Sequence, residues 1–387
     1  MRILCIFPVM SRTYNENAYL LEYLRSKGNE LCVVSGRSLA FKGGGKLPPE
    51  EDMNGIPILR LYRNYLHAFL FPYTHLAALL RITRQFRPDL IFCSVEINMR
   101  IASLINRFYR IPIVLQVEDA GRIASGESYS SLKSRVAFAA VGVPSGRNYW
   151  KWLVKRAQCI ITLHPRDQDK LPELRSRDTP CYFVPWCSQI PSGYYAAPKV
   201  AGRGIYCGSL RDVKNTLEFG VTIPMLLDQT RTKEFVIIGG GASRHVGLVR
   251  RLQRKYGERI RFVPGDLPRT KVLELISSCD YGYTPVRKGG WGFILDCWAV
   301  GTPLVMTHND DGYVSTMSNA LVSNSVFDLP STVELLYTDH MLCQKLRQNG
   351  FESYREHSPE AVGSRILSIF DETLRVWKRE DHSRENF

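Results

Sequence analysis

The stretch Gly289-Gly290-Trp291-Gly292-Phe293-Ile294-Leu295-Asp296 places three glycines at a helix start, with an acidic side chain one turn in. Glycine lets backbone approach a ligand closely, and the unbonded N–H groups of a helix start favour phosphate. A carboxylate one turn further on can accept hydrogen bonds from ribose hydroxyls, as acidic residues do in other nucleotide folds. The same residues also suit a plain turn in which Asp296 is only a helix-start charge. Gly301 stops this helix, and Pro303 opens the next strand. The surroundings decide between the two readings.

Those surroundings are short apolar or β-branched runs alternating with helical patterns, the mark of βαβ units and a mostly parallel sheet. Strands are predicted at 3–7, 31–35, 90–94, 111–117, 159–163 and 181–184, with helices at 17–27, 99–108 and one ending near Arg87-Pro88. Residues 188–203, SQIPSGYYAAPKVAGR, are rich in Pro, Gly, Ala and Ser and read as an interdomain linker. Alternation restarts after it. Strands are expected at 204–207, 235–238, 260–262, 281–284 and 303–306, and helices at 215–227, 244–256, 270–277, 293–300, 333–336, 339–349 and 359–377. The expected fold is α/β, with two doubly wound, Rossmann-like domains facing a central cleft. Their limits are 1–187, 204–360, and a C-terminal helix and charged tail, 361–387, crossing back to the N-terminal domain. Ligands in such sheets bind beyond the carboxyl ends of strands, so the loops after strands carry the interest.

Composition narrows the partners. The 387 residues carry a formal charge of +14, which attracts anions such as nucleotides or acidic headgroups. Nucleic acid is not expected: zinc-finger spacing, an aromatic RNA-binding signature and a long Lys/Arg block are all missing. The 10 cysteines form no CxxC pair and read as free thiols in a reducing compartment. The opening run, MRILCIFP, reads as a first strand rather than a secretion signal. The eight His residues show no metal-binding spacing, so no tightly held metal is expected. A loosely bound divalent ion is compatible with any diphosphate. The Gly239-Gly240-Gly241-Ala242-Ser243-Arg244 segment has Arg where a dinucleotide fingerprint has its third Gly, which weakens a hydride-transfer reading.

In this order and spacing, several segments together resemble the GT-B glycosyltransferases, particularly the retaining family 4 (group 1). That family reads Glu, seven residues, Glu-Ala-x-Ala-x-Gly-x-Pro-Val. Here Asp296-Cys297-Trp298-Ala299-Val300-Gly301-Thr302-Pro303-Leu304 follows the second half, and Lys288 stands at the first Glu. Tyr206-Cys207-Gly208-Ser209-Leu210-Arg211-Asp212-Val213-Lys214-Asn215 is similar to the family's Y-x-G-R-L-x-x-x-K-G. Ile237–Gly241, Cys279–Pro285 and Phe183–Cys187 are similar to its strand ends.

The resemblance implies roles at matching positions. Lys214 would contact a donor diphosphate, with Ser209 in place of the family's Arg and Arg211 two residues away as a substitute. Asp296 would hold the ribose, while Gly290, Gly292, Phe293 and Ile294 would offer backbone to phosphate or sugar. Asp266 and Leu267 would frame the base. Glu118 and Asp119 stand where the family often has a His, and either would orient donor hydroxyls or take the acceptor proton. Arg12 or Asn15 would meet donor or acceptor in place of the family's glycine-rich first loop. Lys288 would pair a carboxylate on the donor sugar, assist the phosphates, or lie solvated beside a rebuilt loop. The implied activity is sugar transfer, with retention, from a UDP- or GDP-sugar to a glycan or lipid-linked acceptor. The expected location is cytoplasmic, at the inner face of a membrane. Basic aromatic segments 62–84 and 135–156 suit an anionic membrane surface or a packed helix with a basic face. Two other readings are a non-catalytic sugar-nucleotide-binding partner subunit and a sugar-nucleotide epimerase of the same architecture.

Overall fold

The protein is described by a computed structural model covering residues 1–10, 17–37, 47–63, 72–95, 98–117, 154–167, 179–265, 267–287, 289–310 and 312–385. It divides into two compact units, Met1–Cys187 with Pro359–Phe387, and Ser188–Ser358.

In the first unit the strands are β1 (Arg2–Val9), β2 (Glu30–Gly36), β3 (Glu50–Met53), β4 (Ile56–Tyr62), β5 (Leu90–Ser94), β6 (Ile113–Val117), β7 (Cys159–Thr162) and β8 (Cys181–Phe183). Their order in the sheet is β3-β4-β2-β1-β5-β6-β7-β8. Every pair is parallel except the β3–β4 hairpin. Helices α1 (Asn17–Ser26), α2 (Leu76–Phe86) and α3 (Met99–Tyr109) alternate with the strands. The strands are continuous apolar runs because both faces are covered. One core face gathers Ile6, Ile91, Leu115 and Ile160 with α3, while the other gathers Cys5, Phe92, Val114 and Ile161 with α1.

The second unit has β9 (Arg203–Cys207), α4 (Phe219–Gln229), β10 (Glu234–Gly239), α5 (Ser243–Tyr256), β11 (Ile260–Pro264), α6 (Arg269–Ser277), β12 (Tyr281–Thr284), α7 (Trp291–Ala299), β13 (Leu304–Met306), β14 (Leu321–Val322), α8 (Leu329–Thr338) and α9 (His340–Arg355). Its sheet order is β11-β10-β9-β12-β13-β14, all parallel, the doubly wound arrangement of nucleotide-binding folds. Residues 188–202 pack along this unit. Ala197 N–H donates to Ser277 Oγ, and Gly202 N–H donates to Asp280 Oδ2 at 2.6 Å. Helix α10 (Pro359–Glu385) returns to the first unit, where Val362, Ile366, Ile369 and Phe370 enter the α1 face of the core.

All ten cysteines are free thiols. Burial pushes the thiol of Cys159 up to about 12, which makes it a core residue rather than a nucleophile. No helix among the described residues is long and apolar enough to cross a membrane.

Candidate functional site

In the second sheet, chain order reverses between β9 and its neighbour β12, because β10 and β13 lie on opposite outer sides. Such a switch point leaves an opening beyond the carboxyl ends of the two strands. The loop after β9 carries Ser209, Arg211 and Lys214, and the loop after β12 carries Gly289 and Gly290. Both glycine-rich and cationic segments therefore converge at the switch point for topological reasons.

Backbone contact sets the path of the β9 loop. Leu210 N–H donates to Gly240 O at 2.9 Å, and Ala242 N–H returns to Leu210 O at 3.1 Å. Any β-carbon at Gly239 or Gly241 would collide with Gly208 O or Leu210 O. The glycine run that loosely resembles a dinucleotide fingerprint thus serves to admit the neighbouring loop. Tyr206, buried beneath, donates its hydroxyl to Ser209 O at 3.2 Å. Two short 3-10 turns follow, Asp212–Lys214 and Thr216–Glu218, joined by Asn215 at φ 53°. Asn tolerates this left-handed conformation, where the resembling pattern has Gly.

Lys214, half-buried, reaches the second loop: a β-carbon placed on Gly289 would stand 3.1 Å from Lys214 Nζ. Gly289 and Gly290 both have positive φ, 70° and 87°, and Gly290 is the residue from which α7 begins. An ammonium group and the positive end of a helix are therefore juxtaposed at the switch point, a local field suited to an anion.

Two expectations are adjusted by the geometry. The amides of Phe293 and Ile294 are not open to a ligand, because both donate to Gly290 O, at 3.1 and 3.3 Å. The helix closes its first turn on itself and uses those two donors. Asp296, 7% exposed, is not turned to solvent either. Its Oδ1 lies 2.7 Å from Arg269 Nη2, and that same nitrogen donates to Ser188 Oγ at 2.9 Å. Burial raises the Asp296 carboxyl to about 6, and the Arg269 charge opposes that rise.

Ser209, Arg211 and Leu267 are half-buried on the loops after β9 and β11, and Gly292 lies in the first turn of α7. Glu118, Asp119, Arg12, Asn15, Asp266 and Lys288 lie outside the described residues, as does the segment 135–153. The sequence reading missed Arg269, Glu218, His308 and His245. Glu218 accepts hydrogen bonds from Asn215, Tyr283, Thr307 and His308. His245, fully buried, reaches Thr216 Oγ1 with Nδ1 and Asp212 Oδ1 with Nε2, at 2.7 and 3.0 Å. Arg244 pairs with the same Asp212 carboxylate and holds it below the usual range.

Residues 16–186 match the model of the glycosyl transferase 4-like domain. That match spans less than half of the chain and marks these residues as similar to that domain. No curated protein matches the chain in sequence. Among solved structures, sucrose-phosphate synthase from Thermosynechococcus elongatus superposes with a TM-score of 0.75 at 14% identity, covering 97% of this chain and 100% of that one. Anabaena HepE in complex with UDP-glucose gives 0.66 at 14% identity, covering 96% and 100%. A glycosyltransferase from Rickettsia africae ESF-5 gives 0.68 at 13% identity, covering 96% and 98%. The whole chain therefore has the GT-B fold. Both the domain match in the first unit and the fold of the whole chain are similar to those of GT-B glycosyltransferases.

Proposed function

We propose that the protein transfers a sugar, with retention, from a nucleotide-diphosphate donor to a glycan or lipid-linked acceptor. The observation that carries this reading is Lys214 Nζ against the Gly289 backbone at the switch point of the second sheet. A diphosphate seated there meets an ammonium charge, closely approachable glycine backbone and the start of α7. HepE, crystallised with UDP-glucose, supports a UDP-sugar as the first donor to test, ahead of GDP-sugars. Leu267, with Asp266 beside it, would frame the base. Gly290 and Gly292 would face the phosphates. Asp296 would reach a ribose only by sharing its carboxylate with Arg269, so Arg269 enters the donor set as its partner. Glu118 or Asp119 would orient donor hydroxyls or take the acceptor proton, and Arg12 or Asn15 would meet donor or acceptor.

The experiment is a thermal-shift titration of UDP- and GDP-sugars, since a ligand that binds only the native state raises apparent stability. Lys214→Ala is expected to remove most of the shift given by the best donor, while Lys214→Arg keeps part of it. A full shift in Lys214→Ala rules out the proposed diphosphate seat. Donor turnover separates a transferase from a binding-only partner subunit, and product formed without acceptor would indicate an epimerase. Lys288→Glu, assayed with a uronate and a neutral sugar nucleotide, tests whether Lys288 pairs a carboxylate on the donor. An unchanged preference removes that role.

One observation favours an anionic membrane surface as a partner. Arg2, Arg81, Arg84, Gln85 and Arg87 line a groove of about 600 Å³ at the amino ends of β1 and β5. Four guanidinium groups in one groove suit phosphate-bearing headgroups. Pelleting with anionic vesicles, and loss of pelleting in Arg81→Gln/Arg84→Gln, tests this. Equal pelleting with neutral vesicles counts against it.

A further inference from the structure

Lys214 rides on two consecutive 3-10 turns linked by a left-handed residue. Turns this short have little stability of their own, so their placement must come from elsewhere. Glu218 supplies it. Its Oε1 accepts from Thr307 Oγ1 at 2.6 Å and Tyr283 Oη at 3.1 Å, and its Oε2 accepts from Asn215 Nδ2 at 2.8 Å and His308 Nε2 at 3.0 Å. A carboxylate has about four lone-pair positions, and here donors of the same unit occupy them. Tyr283 belongs to β12, Thr307 and His308 directly follow β13, and Asn215 is the residue beside Lys214. Asn215 Nδ2 also donates to Pro285 O, just past β12, at 3.2 Å. One half-buried carboxylate thus ties the Lys214 turn to the carboxyl ends of β12 and β13. His245 grips the opposite flank through Thr216 and Asp212.

We infer that Glu218 is a positioning residue, which fixes the turn so that Lys214 stands against Gly289 before any ligand arrives. The inference rests on the reading above that Lys214 contacts the donor diphosphate. Preorganisation matters here because Ser209 occupies the place of a second cation, which puts more weight on where Lys214 stands. Glu218 itself does not touch the donor. It acts through Lys214, and through the donors that hold its carboxylate.

The test combines hydrogen exchange with donor binding. Glu218→Gln turns an amide donor toward groups that are themselves donors, and is expected to speed exchange across 211–218 while β9 and β12 stay protected. Affinity for UDP- or GDP-glucose should fall about tenfold, equivalent to ~1.4 kcal/mol. In a Lys214→Ala background the same change should cost no further affinity, as expected for one chain of interaction. His308→Leu removes a single donor and guards against misfolding of Glu218→Gln. It should weaken binding in the same direction, and His308→Gln, whose amide can still donate, should restore it. Additive losses in the double variant, or unchanged exchange in 211–218, overturn the inference. If exchange accelerates in Glu218→Gln while the parent protein binds neither sugar nucleotide, the anchoring stands and the donor reading is what fails.

Discussion

A carboxylate inside a helix can stay open to a ligand or be neutralised by a neighbour, and for Asp296 the neighbour is Arg269 at 2.7 Å. Burial nevertheless holds the carboxyl at about 6, above its ordinary range near 3.9. The folded state therefore binds this proton more tightly than the unfolded chain does. Asp296 weakens the fold when ionised, and that cost recedes as pH falls through 6. Compared with Asp296→Asn, the parent protein should gain about 1 kcal/mol of relative stability between pH 7 and pH 5. Urea unfolding of both proteins at the two pH values measures this, and a flat difference would mean Arg269 fully compensates the burial. At this scale legibility followed sequence locality. Lys214 and the glycine loop could be found because each belongs to a short run of fixed spacing. Arg269 and Glu218 could not, since their partners lie on other elements, up to 90 residues away in the case of His308.

Between elements, the decisive contacts are backbone on backbone. Gly241 lets the β9 loop pair with the segment after β10, where Leu210 bridges to Gly241. A methyl group at Gly241 would meet Leu210 O with no flexible side chain to yield, so the loop itself must move. Gly241→Ala is expected to destabilise the protein by about 1–3 kcal/mol, in the range of overpacking. It should also weaken donor binding, because the displaced loop carries Lys214. Equilibrium unfolding and a donor titration together check both effects, and a stable variant with normal binding would show that the approach has slack. Element types were largely readable: the spans 90–94 and 281–284 coincide with β5 and β12. The β3–β4 hairpin was not read, although Asn54-Gly55 is a strong two-residue turn signal. Glu50-Glu51-Asp52 is acidic and poor in β-formers, as an edge strand can afford to be, so alternation gave no warning.

The chain as a whole closes on its beginning. Helix α10 comes last in sequence, yet its apolar face completes the core that β1 and α1 start. Phe370, fully buried, sits 5.3 Å from the Phe92 ring. Tyr23 and Ser364 share a hydrogen bond of 2.8 Å, and Tyr182 donates to Glu372 at 2.7 Å. Gly363 presses so closely on Tyr23 that a β-carbon there would overlap the ring. These contacts join segments more than 180 residues apart, so the first unit cannot complete its core without α10. Phe370→Ala should therefore cost about 3–5 kcal/mol, the range for emptying a buried aromatic site. Hydrogen exchange should place the loss in 1–187 and 359–385, with the Lys214 loop protected as before. A loss below ~1 kcal/mol would mean that α10 rests on a finished core rather than completing it.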